Sequence, residues 1–258
     1  MDALPAPRPR IASINVNEAW NGVFQDPAIV GKLLIGSVVA LLMIPVFPLA
    51  VPVFIGYGVL TARNAAAGET HPMPDWDRLG EMWILGAKYW LAVMVYMSPL
   101  ILAMGAGVGM TVFGAVAGRG AEVLAALGIM IVYACYFGAL FLQIAFQLTL
   151  FPVLAAVLAV EDSLGAMLSP RRLWGVLRDN PWNIILAGVL KWASGLVATF
   201  ACFFFFFPMF PVLFLGEVLS MATLGQAQRL AFEAYGVAPP EGASGSSRVL
   251  DSLPSPPL

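Results

Sequence analysis

Four long stretches of this chain contain no Asp, Glu, Lys or Arg: residues 33–62, 89–118, 123–160 and 192–216. A helix needs about 20 apolar residues to cross the ~30 Å hydrocarbon core of a bilayer, and every one of these stretches is longer. Lipid offers no hydrogen bonds to a backbone, so such runs must close their own as helices. Composition agrees: 60% of residues are hydrophobic and 11% charged, with a mean hydropathy of +0.86, whereas soluble domains are about a quarter charged. The expectation is an all-α, polytopic integral membrane protein. A net charge of -2 and the lack of a basic run argue against nucleic acid as a partner.

Residues 1–10 are rich in Pro and 236–258 in Pro, Gly and Ser, and they read as a flexible N-terminus and a disordered tail. Between them, 11–235 reads as a single transmembrane domain. No short apolar run followed by a small-x-small cleavage site opens the chain, so the first span is expected to be retained. Three short amphipathic stretches, 11–26, 74–81 and 170–180, read as short interfacial helices, and each precedes an apolar block long enough to cross and return. Proline lacks an amide donor and clashes inside helices. The clusters Pro45, Pro48, Pro52 and Pro208, Pro211 therefore read as hairpin tips. Splitting there gives six spans in three hairpins: 29–47, 51–66, 83–105, 123–146, 182–206 and 212–232. Residues 153–167 then either extend the fourth helix or run along the membrane interface.

Trp20 and Pro27 stand seven apart, as do Trp174 and Pro181, and each pair leads into an apolar segment and a Phe-Pro cluster. This is a candidate internal repeat, of a kind found in many transporters. Cationic residues test the topology independently. With six spans and both termini inside, Arg8, Arg10, Lys32, Arg63, Arg78, Lys88, Arg171, Arg172, Arg178 and Arg229 fall on the inner side, and only Arg119 falls in an outer loop. A five-span alternative, with 33–62 as one bent span, puts Arg8, Arg10 and Lys32 outside. The six-span arrangement in a bacterial inner membrane is therefore the expectation.

Asp26-Pro27, Lys32-Leu33-Leu34, Ile44-Pro45, Gly56-Tyr57-Gly58, Arg63, Gly68 and the loop Pro72-Met73-Pro74-Asp75-Trp76-Asp77 together resemble an uncharacterised prokaryotic membrane family, domain of unknown function 4013. Arg178-Asp-Asn-Pro181-Trp and Leu224-Gly225-Gln226-Ala227 are similar to that family's second half. The resemblance covers roughly 20–235, and the Pro-x-Pro-x-Trp-Asp loop is its most specific element. It departs at Thr223-Leu224, where many relatives carry His or Tyr before the Gly-Gln pair. It implies a fold and a bacterial membrane location; the family has no established activity, so no catalytic residue carries over.

Few side chains invite chemistry. The lone His71 shares a loop with Asp75, Asp77 and Glu81, but one His beside loop carboxylates is weak grounds for a metal or for acid–base work. Asp75 or Asp77 suits a helix N-cap, with Trp76 and Trp83 as headgroup anchors. Glu217 follows a long uncharged stretch, and Lys191 on the preceding antiparallel helix reaches a similar depth. The two are expected to meet, either as a packing pair or on a proton or solute path. Gln143 and Gln147 share a helix face and are expected to bond to each other or to a neighbouring helix. Gly105/Gly109 and Gly114/Gly118 have small-xxx-small spacing for close helix packing. Cys135 and Cys202 read as small core hydrophobes, and the five consecutive Phe at 203–207 as a lipid-facing or docking ridge. No hydrolase set, metal motif or phosphate loop occurs. The sequence thus suggests no enzyme, metal or cofactor, and its expected partners are the lipid bilayer and other membrane protein subunits or a second copy of the chain. The leading function is a scaffold or accessory subunit; the rival is a small-solute transporter built around Lys191 and Glu217.

Overall fold

The computed structural model describes residues 11–118, 121–204 and 206–239. All regular structure among them is helical. The tail expectations for 1–10 and 240–258, and Arg119 and Phe205, lie outside the described residues, as do the side chains of Phe203 and Phe204.

Helix α1 (Val16–Phe24) starts where the Asn15 side chain accepts the Asn17 amide at 3.1 Å, and it buries Ala19 and Val23. Asp26 Oδ1 accepts the Ala28 amide at 2.8 Å, and across this corner the chain bends by 95° into α2 (Ile29–Leu42). α2 has 14 residues, ~21 Å at helical rise, which is short of a bilayer core. A turn at 43–46 leads to α3 (Phe47–Ala66), so the first tip holds Pro45 alone. Pro48 lies in the first turn of α3, where a missing amide costs nothing, and Pro52 lies inside the helix. The expected boundaries 29–47 and 51–66 shift for that reason.

A loop then folds back before a 3-10 turn (Trp76–Arg78) and α4 (Leu79–Val116). An interfacial helix was expected at 74–81; a single tight turn stands there instead. α4 runs 38 residues, well past the expected end at 105. Its glycines do not stop it, because in an apolar setting a helix that keeps its own hydrogen bonds is the only cheap backbone. α5 (Glu122–Leu148) returns antiparallel, and a break at Thr149 starts α6 (Leu150–Glu161). α6 neither extends α5 nor runs along an interface. Pro152 through Ala159 are all buried, so an element apolar on every side is enclosed by protein. After α7 (Leu164–Met167) come the amphipathic α8 (Pro170–Asp179), α9 (Pro181–Phe204) and α10 (Met209–Tyr235), which ends on Gly236 at φ +64°. Among the described residues, five helices are long and apolar enough to cross a membrane, and the bent pair α1–α2 makes up to six.

Contacts fix the directions. Asn180 Nδ2 donates to Ala227 O, Ser220 Oγ to Ala187 O, and Lys191 to Glu217, so α9 and α10 are antiparallel. Phe54 meets Phe214, Gly58 meets Glu217, and Gly225 meets Ala62, so α3 and α10 run parallel through the core. α3 and α4 cross antiparallel at Gly56 and Gly86. α2 packs broadly on α10, whereas α9 makes no comparable packing with α3. The two halves of the candidate repeat therefore share an order of elements but not a set of contacts.

α4 and α5 approach through Gly107, Thr111 and Gly114 against Gly128 and Ala125. Gly105 and Gly109, expected at that seam, face open space. Of the four glycines singled out, only Gly114 packs, because Gly107 and Gly114 are two turns apart on the inward face while Gly105 and Gly109 point away. Cys202 is exposed and Cys135 half-buried, so neither is a core thiol. Phe206 and Phe207 are exposed.

Candidate functional site

Asn183 in the first turns of α9 clamps the segment before α1: its Oδ1 accepts the Ile14 amide at 3.2 Å and its Nδ2 donates to Ala12 O at 3.0 Å. Asn183→Ala leaves that amide unpaired, and a cost of about 1–3 kcal/mol is expected. Faster hydrogen exchange confined to residues 12–15 would check it. Arg229 Nη2, 2.6 Å from Glu18, ties α1 to α10 as well.

Deeper, Lys191 Nζ lies 3.0 Å from Glu217 Oε2 and 3.2 Å from Oε1. The two side chains meet as their register along the hairpin requires. Asn180 with Ala227 and Ala187 with Ser220 set the antiparallel register, and three to four residues further along each helix it brings Lys191 opposite Glu217. The Glu217 side chain is 6% exposed and that of Lys191 21%. Gly58 makes room for the carboxylate, since a Cβ there would stand 2.9 Å from Glu217 Oε1. Gln143 and Gln147 do not join this site. Gln143 is exposed and Gln147 half-buried, and neither makes a side-chain hydrogen bond to the described residues. α5 turns that face away from the core, leaving helix α4 as its neighbour over much of its length.

A second buried ion site was not foreseen. Lys32, 8% exposed, donates to Met73 O at 2.7 Å and to Asp26 Oδ2 at 2.9 Å, and Asp75 Oδ1 lies 3.1 Å away. Asp26 is 4% exposed. The sequence signal was the lone Lys32 beside an apolar run, with Asp26 six residues earlier and an acidic loop downstream; only the fold brings the three together. The loop residues Pro72, Met73 and Pro74 are buried, held by Asn64 Nδ2 donating to Pro72 O at 3.1 Å. Trp76, expected as an anchor, is only half-buried. It stacks on Tyr57 with ring centroids 4.4 Å apart, and its indole N–H donates to Lys32 O at 3.3 Å. Asp75 precedes the 3-10 turn but caps nothing with its side chain, which turns to Lys32; Asp77 is exposed. Glu69 in the same loop has its carboxyl pushed above the usual range by burial, with Arg78 acting in the opposite sense.

The remaining cations gather at one end of the bundle. Arg63 Nη1 lies 3.4 Å from Glu81 and its Nε donates to Ala159 O at 2.9 Å. Lys88 Nζ lies 2.8 Å from Asp162, Arg172 3.3 Å from Glu161, and Arg78 pairs with Glu81. These contacts staple the ends of α3, α4, α6 and α8. His71 is exposed, and among the described residues no three His, Cys, Asp or Glu form a metal-sized group. The arrangement offers charge pairing and helix locking.

No curated protein and no solved structure matches the chain. The family described as "Protein of unknown function (DUF4013)" matches residues 37–207, from within α2 to the turn before α10, and so excludes Lys32 and Glu217. That span is narrower than the resemblance across 20–235, yet it takes in the Pro-x-Pro-x-Trp-Asp loop and about two-thirds of the chain. On that match, and on a helical architecture with membrane-spanning lengths, the chain belongs to the DUF4013 family of proteins of unknown function.

Proposed function

We propose that this multi-pass membrane protein is a non-enzymatic scaffold or accessory subunit of the bacterial inner membrane, and that the α4–α5 hairpin is the arm that meets its partner. The observation carrying this reading is how that hairpin leaves the core. Beyond Ala92, the only buried positions on α4 are Gly107 and Gly114, both against α5, and α5 buries Gly128 alone. Leu102, Val116, Met130 and Phe141 are 66–82% exposed. At 38 residues, α4 is ~57 Å long, nearly twice a bilayer core. A helical hairpin held to the body at one end exposes large, smooth apolar surfaces suited to helix–helix packing.

The test is a photoreactive residue placed at 102 or 130 in native membranes, followed by affinity capture and mass spectrometry. A protein adduct to one partner that also stays bound through size exclusion is expected. Lipid adducts alone, with a monodisperse particle of this chain only, would remove the scaffold reading.

Transport is the second reading, and the ion pair at membrane depth favours it, because ionisable groups there commonly mark solute or proton paths. Glu217→Gln separates the two. As a packing pair, its loss lowers folded yield and thermal stability without any flux phenotype, which is the expected result. Normal yield with loss of a substrate- or pH-dependent response in proteoliposomes would instead establish transport.

A further inference from the structure

Helix α8 turns Leu173 inward, buried, with Val176 and Leu177 partly covered, and packs on α6 and α9. Its opposite side exposes Arg171, Trp174 and Arg178. Spacings of three and four residues put the three on one stripe. Every other Lys and Arg among the described residues stands within 4.0 Å of a carboxylate: Lys32, Arg63, Arg78, Lys88, Arg172, Lys191 and Arg229. Arg171 and Arg178 face none among the described residues. These are two guanidinium groups with no described carboxylate partner, on a surface where every other described Lys and Arg is matched internally.

Their level relative to the membrane follows from the chain. Asn180 alone separates α8 from α9, a membrane-length helix, so α8 lies where α9 enters the bilayer. Trp182, the second residue of α9, is 80% exposed and Trp174 63%. Exposed indoles at that depth suit the headgroup and ester region. Guanidinium presents a planar fork that fits phosphate oxygens, and anionic leaflets attract such cations.

We propose that the Arg171–Trp174–Arg178 stripe is a headgroup site for an anionic phospholipid of the adjoining leaflet. The phosphate bonds to the two guanidinium groups, and Trp174 and Trp182 lie along the glycerol and upper acyl region. The inference is independent of whether the protein is a scaffold or a transporter.

The test uses the full chain in nanodiscs of mixed phosphatidylcholine and phosphatidylglycerol, with native mass spectrometry after gentle release. Phosphatidylglycerol is expected to be retained over phosphatidylcholine. Arg171→Gln with Arg178→Gln is expected to reduce that preference by about fivefold per arginine, while the matching Lys variants keep most of it. Both arginines are exposed, so an unchanged elution profile and melting curve should accompany the loss. Soluble glycerol phosphate at millimolar concentration should not displace the lipid; if it does, the site recognises free phosphate and the lipid assignment fails. An undiminished preference in the Gln variant would overturn the proposal. So would a photoreactive residue at 174 that yields a protein adduct and no lipid adduct in native membranes, because an acidic protein would then be the occupant.

Discussion

Gly86→Ala is expected to yield no stable, monodisperse protein, and Gly56→Ala the same. A Cβ on Gly86 would stand 1.7 Å from Pro52 O, and one on Gly56 1.8 Å from Met82 O. The obstacle in each case is a carbonyl of the facing helix, which no rotamer change can move. Overpacking a core commonly costs about 1–3 kcal/mol when side chains can shift. Here the α3–α4 crossing itself must open, so the loss should exceed that range and take a large share of the ~5–15 kcal/mol that holds a typical protein folded. Gly105→Ala is the control: nothing lies within 4 Å of its would-be Cβ, and Ala favours a helix by up to ~1 kcal/mol. Size exclusion and melting curves in detergent compare the three. A folded Gly86→Ala protein with a normal melting curve would mean that the helices do not cross there.

Lys32→Met is expected to cost about 3–5 kcal/mol, because it strands the buried Asp26 carboxylate without its cation. The two carboxylates do not contribute equally. The Asp26 side chain is 3% exposed and that of Asp75 77%, so solvent screens the second pair, and Asp75→Asn should cost no more than ~1 kcal/mol. Adding Asp26→Asn to Lys32→Met should recover part of the loss, since it removes the uncompensated charge rather than the pair alone. Equal melting temperatures for Lys32→Met and the native protein would show that Lys32 is not buried among these partners. The same substitution frees Met73 O, so limited proteolysis of the 69–78 loop should accelerate with it.

Some features could be read from residue order because their cause is local. Uncharged runs longer than a bilayer core require helices whatever they pack against. The Pro clusters mark the turns to within a few residues. The Lys191–Glu217 contact follows from counting turns along two antiparallel neighbours. Other features failed to show for equally physical reasons. The stacking of Trp76 on Tyr57, nineteen positions earlier, could not be read, because nothing local links the two rings. Residues 153–167 read as an extension of the fourth helix or an interfacial run, because an apolar segment looks alike whether lipid or protein surrounds it. Gln143 and Gln147 share a face, but which way that face turns depends on the path of α4.

Residue order alone determined the solvent and the helical class, since each depends on side-chain transfer to lipid and on backbone bonding within one segment. Tertiary structure decided which helices become the enclosed core of α3, α6 and α10, which glycines are crossing points, and which cations find a carboxylate. Those outcomes depend on the distance between groups far apart in the chain, and close approach of two backbones tolerates errors of less than an ångström that no periodicity in sequence can encode.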